Sequence, residues 1–283
     1  MFRFFPSFIS VIFLLFAGSV PSMSAPDPAE TDIPFLNPPV PTVPRSSSDP
    51  NAAVLSAIRT MPSGGRYSAS SAAFDGLGRA VTVGNGALRI DSRNAQPSFC
   101  SGATYLVFLQ ALDQLSRERG FALDAATLST LLVAHQRDGQ GIWGRWNANG
   151  PGTARLFSEL RLGRNFTDFA DARPGDFMKI FWTDEIGQRE HGHSVVFLGT
   201  NVIAGKEFVK FWSSNIASGA GDLSGYGDKI IPRTKIVRAI FSRLENPENI
   251  AHIRAISATD PFLAGLLSRR TTLEEVRRMC DLL

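Results

Sequence analysis

Cysteine and histidine are scarce in this chain. Its 283 residues hold two cysteines, Cys100 and Cys280, and four histidines. Two cysteines exclude a disulfide-dense scaffold and leave either one bridge, Cys100–Cys280, or two separate thiols. Glu190, His191 and His193 cluster, but His135 and His252 have no supporting ligands near them in sequence, so a tetrahedral zinc site is short of donors. No metal or other cofactor is expected. An excess of one charge is also missing: 29 basic residues stand against 26 acidic ones, a formal net charge of +3. The basic residues are scattered, and only Arg269-Arg270 and Arg277-Arg278 are adjacent. Nothing in that balance points to nucleic acid. After residue 20 no stretch is long and apolar enough to span a bilayer.

What is present begins with Met1-Phe2-Arg3, an apolar run from Phe4 to Val20, and Pro21-Ser22-Met23-Ser24-Ala25. A basic start, an apolar stretch and small residues make a secretory signal peptide over residues 1–25. A membrane anchor is the competing reading, set against the shortness of the run and Pro6 within it. The absence of a cysteine after the signal excludes a lipoprotein anchor. Pro26 to Pro50 carries eight prolines, an extended linker over residues 26–50. The protein is expected to be exported, to the periplasm, cell wall or extracellular space, and to meet the membrane only transiently through its signal.

The remainder reads as alternating helices and strands. Asn51 to Met61 is a short helix stopped by Pro62. Ala80–Val83 and Ala87–Ile90 flank Gly84-Asn85-Gly86, a β-hairpin signal. Phe99 to Arg119 is the strongest helix, with Tyr105, Leu106, Leu109, Leu112 and Leu115 on one face, Ser98 as N-cap and Gly120 as stop. A second helix is expected over Asp124–Gln136. The glycine-rich run Gly139–Gly152 is expected to be irregular, and Thr153–Leu162 a short helix. Asp176–Trp182, Ser194–Gly199 and Glu207–Trp212 read as antiparallel strands, with a further strand over Ile231–Phe241 and helices from Asn246 onward. Helices packed on an antiparallel sheet make an α+β fold.

Cys100 falls in the first turn of the strongest helix, where free N–H groups and the helix dipole favour a thiolate. His193 begins an apolar strand. A helix-borne thiol and a strand-borne imidazole are the minimal parts of a cysteine hydrolase. His191 competes with His193, since both point to one face if the strand starts early.

Three motifs then define a resemblance. Cys100-Ser101-Gly102, Arg173-Pro174-Gly175-Asp176-Phe177 and Gly192-His193-Ser194-Val195-Val196-Phe197-Leu198-Gly199 resemble, in that order, the nucleophile, turn and histidine-strand motifs of the NlpC-type papain-like cell-wall cysteine peptidases and amidases. The resemblance spans Cys100 to Asn215. The chain departs from that family at Phe99, where Asp is usual, in its longer Cys-to-His spacing, and in lacking a histidine at the end of the third strand.

The resemblance implies a papain-like fold with a catalytic domain over residues 51–245, its core at 97–241, and a helical C-terminal segment at 246–283. It implies that Cys100 attacks a carbonyl and His193 shuttles the proton. A third polar residue orients the imidazole: Asn215, or Ser213 on the same strand face. Trp143, Arg145 and Trp146, in the glycine-rich run, are candidate substrate-binding residues; the opposing reading has the tryptophans covering the sheet edge. Tyr67 is a candidate at the border of the site, as in that family. Asp176 suits a turn cap, Tyr226 a loop near the cleft, and Cys280 a half-buried position. The expectation is a monomeric, exported hydrolase of peptidoglycan stem peptides. The alternatives are a noncatalytic cell-wall-binding domain on the same scaffold, or a structural protein held by a Cys100–Cys280 disulfide.

Overall fold

Pro50 opens the first helix rather than closing a linker. A computed structural model describes residues 49–217 and 224–282, so the expected signal peptide and nearly all of the expected linker lie outside it. The chain divides into two units, Met1–Val43 and Pro44–Leu283, of which only the second is described. Helix α1 spans Pro50–Thr60, with Pro50 in the first turn and the Asp49 carboxylate accepting from the Asn51 N–H at 3.1 Å. A proline suits that turn because its missing N–H would have no helical partner.

The elements that follow are β1 (Gly64–Gly65), α2 (Ser71–Ala80), the hairpin β2 (Val81–Gly84) and β3 (Ala87–Ile90), α3 (Cys100–Arg119), α4 (Ala125–Thr130), α5 (Gly141–Asn147) and α6 (Gly152–Leu160). Strands β4 (Gly163–Phe166), β5 (Phe177–Phe181), β6 (Gly192–Ile203), β7 (Lys206–Asn215), β8 (Gly225–Pro232) and β9 (Arg238–Leu244) come next. A 3₁₀ segment, Pro247–Ala255, and the short helices α7 (Pro261–Gly265) and α8 (Leu273–Met279) complete the order. Seven strands form one sheet, β1-β8-β7-β6-β5-β9-β4, with every neighbouring pair antiparallel. The fold is α+β, as the sequence implies.

Both sheet faces are covered, which explains strands such as Phe177-Met178-Lys179-Ile180-Phe181 that run apolar on both sides. One face, with Phe177, Val196 and Trp212, packs on α3 through Leu106, Phe108 and Leu109. The other gathers Met178, Ile180, Val195, Phe197, Phe211 and Phe241. A third cluster joins Phe181 and Ile240 of the sheet to Phe262, Leu266, Val276 and Cys280, so the C-terminal segment packs on the same body. Arg243, 2 % exposed, grips Asp176, 0 % exposed, through Nε (2.8 Å) and a second nitrogen (2.7 Å). Asp176 also accepts from the Arg173 N–H at 2.7 Å, capping the Pro174-Gly175 turn.

Several expectations are corrected. The helix expected over Asp124–Gln136 stops at Thr130. The glycine-rich run contains α5, whose start is capped by Gln136 Oε1, accepting from the Trp143 N–H at 2.7 Å. Gly144 serves close packing there: a Cβ would lie 1.9 Å from the Arg137 carbonyl oxygen. Tyr226 is no loop residue; it is buried in β8 and donates to the Ala95 carbonyl at 2.9 Å. Cys280 is fully buried, not half-buried, and both cysteines are free thiols, so the Cys100–Cys280 bridge is absent.

Candidate active site

Cys100 is the first residue of α3, a half-buried thiol at the helix N-terminus. The residue before it, Phe99, occupies the N-cap position without a side-chain capping bond. Its ring instead packs 4.3 Å from Phe74 and 6.1 Å from Trp143 between centroids. Ser98, the expected cap, is directed elsewhere: its hydroxyl meets that of Ser214 in β7 at 2.8 Å. That bond ties the nucleophile's approach to the strand that ends at Asn215.

His193 is the second residue of β6. Ladder pairs between β6 and β7 run from Ile203–Lys206 to Val196–Trp212. His193 and Asn215 lie past that end and meet through their side chains, Nε2 to Oδ1 at 3.0 Å. The Asn215 Nδ2 donates to the carbonyls of Gly227 (2.8 Å) and Ser213 (3.3 Å). With its donor side occupied, the carboxamide turns its oxygen to the ring, so Nε2 carries the hydrogen. Nδ1 is then the nitrogen with a free lone pair, the one able to accept a proton.

His193 hydrogen-bonds to the Cys100 thiol, and the Ser194 N–H also donates to the sulfur. Burial by itself raises the thiol's pKa. The His193 bond and charge, the Ser194 N–H and the charge of Lys179 outweigh it and bring the pKa down to about 6 from an ordinary 9.0. Ser213, the alternative orienting residue, donates to the Ser194 carbonyl at 2.7 Å. It braces the backbone beside His193 and leaves the ring to Asn215.

Tyr67 belongs to the same group. It bridges to Ser98, and neighbouring hydrogen bonds join Ser68 N–H to the Ser98 carbonyl and Ser98 N–H to the Arg66 carbonyl. Its hydroxyl hydrogen-bonds to Cys100, and burial, then the nearby thiolate charge, push its pKa up to about 12. It therefore remains an O–H donor. Tyr67, Trp182, His193 and Asn215 line a hollow of ≈ 220 Å³.

The other candidates are not in this group. Arg145 is fully buried, with Nε 2.7 Å from Glu159 and its remaining nitrogens on the carbonyls of Gly141, Ser257 and Ala258. Trp146 is buried, stacks on Phe108 and donates through Nε1 to the Ser101 carbonyl at 3.2 Å. Both hold the core behind the nucleophile helix, which corrects their expected role in binding substrate. Trp143 is likewise buried, 5.1 Å from Tyr105, with one edge lining a separate cleft. His191 is exposed, and Glu190 is paired with Lys179 at 2.6 Å. Among the described residues no cluster of three or more His, Cys, Asp or Glu side chains is placed to hold a metal ion.

Sequence reasoning missed Lys179. A lysine within an apolar strand was the available signal. It lies opposite Ser194 in the β5–β6 ladder, with its charge acting on Cys100. Glu190, its partner, accepts from the N–H groups of Gly150 and Gly187, fastening the loop after α5 to the histidine strand. The chain matches no family model, no curated protein and no solved structure.

Proposed function

We propose that the protein is an exported cysteine hydrolase, a peptidase or amidase of papain-like NlpC type, cleaving amide bonds in peptidoglycan stem peptides. The observation that carries this reading is the Cys100–His193–Asn215 relay, with a thiol pKa near 6 and a histidine whose tautomer is set by Asn215. The three sequence motifs support the family, and the N-terminal signal supports a substrate outside the cytoplasm.

The chemistry follows from the relay. The Cys100 sulfur attacks the amide carbon after His193 has taken its proton. The resulting oxyanion is met by the Cys100 N–H, which has no helical acceptor at the first position of α3, and by the Tyr67 hydroxyl. As the C–N bond breaks, His193 returns the proton to the leaving amine. The thioester that remains is cleaved by water, whose proton passes to His193, releasing a carboxylic acid and the free thiol.

Digestion of purified peptidoglycan by the wild type and by Cys100→Ala tests this, with mass analysis of released fragments. Amine- and carboxylate-terminated stem fragments from the wild type alone are expected. Equal release by both proteins sinks the assignment.

A further inference from the structure

The hollow of ≈ 220 Å³ at His193 is walled in part by residues that take no part in the relay. Phe211 pairs with Lys229 in the β7–β8 ladder, and side chains alternate along a strand. Phe211 and Asn215 of β7 therefore share one sheet face with Lys229 and Ile231 of β8. It is the face away from α3, which packs on Trp212 instead. All four residues line the hollow, and two others of its lining, Tyr67 and His193, hydrogen-bond to the Cys100 thiol. Much of the wall is apolar. Trp182 stacks on the imidazole with 6.2 Å between centroids, and Phe211 meets it edge-on at 5.7 Å. Ile216, just past the end of β7, is 64 % exposed.

No carboxylate stands among the described residues that line it, so an incoming ammonium finds no counter-charge there. Its one lysine, Lys229, donates to the Ile216 carbonyl at 2.8 Å and repels a second cation. An exposed isoleucine beside a half-buried tryptophan gains instead from being covered by apolar carbon. The chemistry fixes which part of a substrate comes here. His193 gives its proton to the departing nitrogen, so the residue bearing that nitrogen lies against the imidazole. We propose that this hollow is the subsite for the side chain of the residue that supplies the leaving amine, and that it takes an apolar side chain such as that of leucine or phenylalanine. The proposal rests on the catalytic reading above and narrows it: the amides cut are those whose amine-side residue is apolar rather than charged.

The test captures the thioester with added amines while the full chain digests purified peptidoglycan. An amine in the subsite attacks the thioester carbon in place of water. The C–S bond breaks, an amide forms, and the proton that His193 takes from the amine returns to the sulfur as the thiol. Parallel reactions contain leucinamide, asparaginamide (close to leucine in shape but polar) or lysinamide. Mass analysis gives the ratio of amine-capped to hydrolysed fragment in each. Leucinamide is expected to be captured at least about tenfold better than either of the others, the scale of burying one apolar side chain. Ile216→Ser, a change at an exposed position, should lose part of that preference. Equal capture of the three amines, capture favouring lysinamide, or the full leucinamide preference in Ile216→Ser would each overturn the subsite. The comparison of amines needs no variant, so it stands even if Ile216→Ser misfolds. Normal Cys100-dependent digestion without selective capture removes the subsite alone; failure of that digestion removes the catalytic reading.

Discussion

Asn215 presents its carboxamide oxygen to His193 at 3.0 Å because its nitrogen is held by the carbonyls of Gly227 and Ser213. The strand end thereby selects the imidazole tautomer. Asn215→Ala frees the ring to rotate and to exchange tautomers. Turnover should fall by about 10- to 100-fold, the usual cost of freeing the partner of a functional imidazole. His193→Ala removes the base itself and should cost about 10²- to 10⁴-fold. Steady-state kinetics on one substrate compares them; an Asn215→Ala enzyme with wild-type kcat would refute the relay.

The thiol's acidity has a direct readout. With a pKa near 6 rather than 9.0, the rate of alkylation of Cys100 should rise through a midpoint near pH 6 and level off above it, because thiolate is the reacting form. Tyr67→Phe removes a donor to the sulfur. Losing a hydrogen bond to the charged form raises an acid's pKa, so the midpoint should move up. A midpoint near 9 in the wild type contradicts an activated nucleophile.

Cys280 should behave oppositely. Burial, above all other influences, pushes its pKa up to about 12, and no solvent reaches it. Native protein should take up one alkyl group and denatured, unreduced protein two. No reactive thiol after denaturation would mean that the two cysteines are bridged.

The Arg243–Asp176 pair joins β9 to the turn before β5. Arg243→Met leaves a buried carboxylate without its cation and should cost about 3–5 kcal/mol of stability. Pairing it with Asp176→Asn should restore part of that loss. Denaturant unfolding of the two variants decides, and equal stability of the single and double variants contradicts the account.

Trp146 separates a core role from a binding role. Trp146→Ala should destabilise by about 3–5 kcal/mol through the void behind α3, with KM nearly unchanged at temperatures where the variant stays folded. A raised KM with native stability would return Trp146 to the substrate site.

Much of the frame was readable because it depends on neighbours in sequence. The period of the apolar residues in α3, the Gly120 stop, the hairpin at Asn85-Gly86 and the apolar β5, β6 and β7 runs each express a local preference. The glycine-rich run misled for a physical reason. Gly144 in isolation reads as a helix breaker, yet it is required by the approach of the Arg137 carbonyl and by a cap from Gln136. Arg145 likewise looks like a surface clamp until Glu159 and three carbonyls enclose it.

By itself the sequence determined the α+β class, a thiol at a helix start and an imidazole at the head of a strand, since helix caps and two-residue periodicity are short-range properties. Only the tertiary structure decided that Asn215, not Ser213, faces the imidazole. It also brought Tyr67 and Lys179 to act on the same sulfur and turned the tryptophans into core. Those outcomes depend on which strands adjoin and where they part, and on which polar groups already have partners, and none of this is encoded at the range over which a sequence pattern can be read.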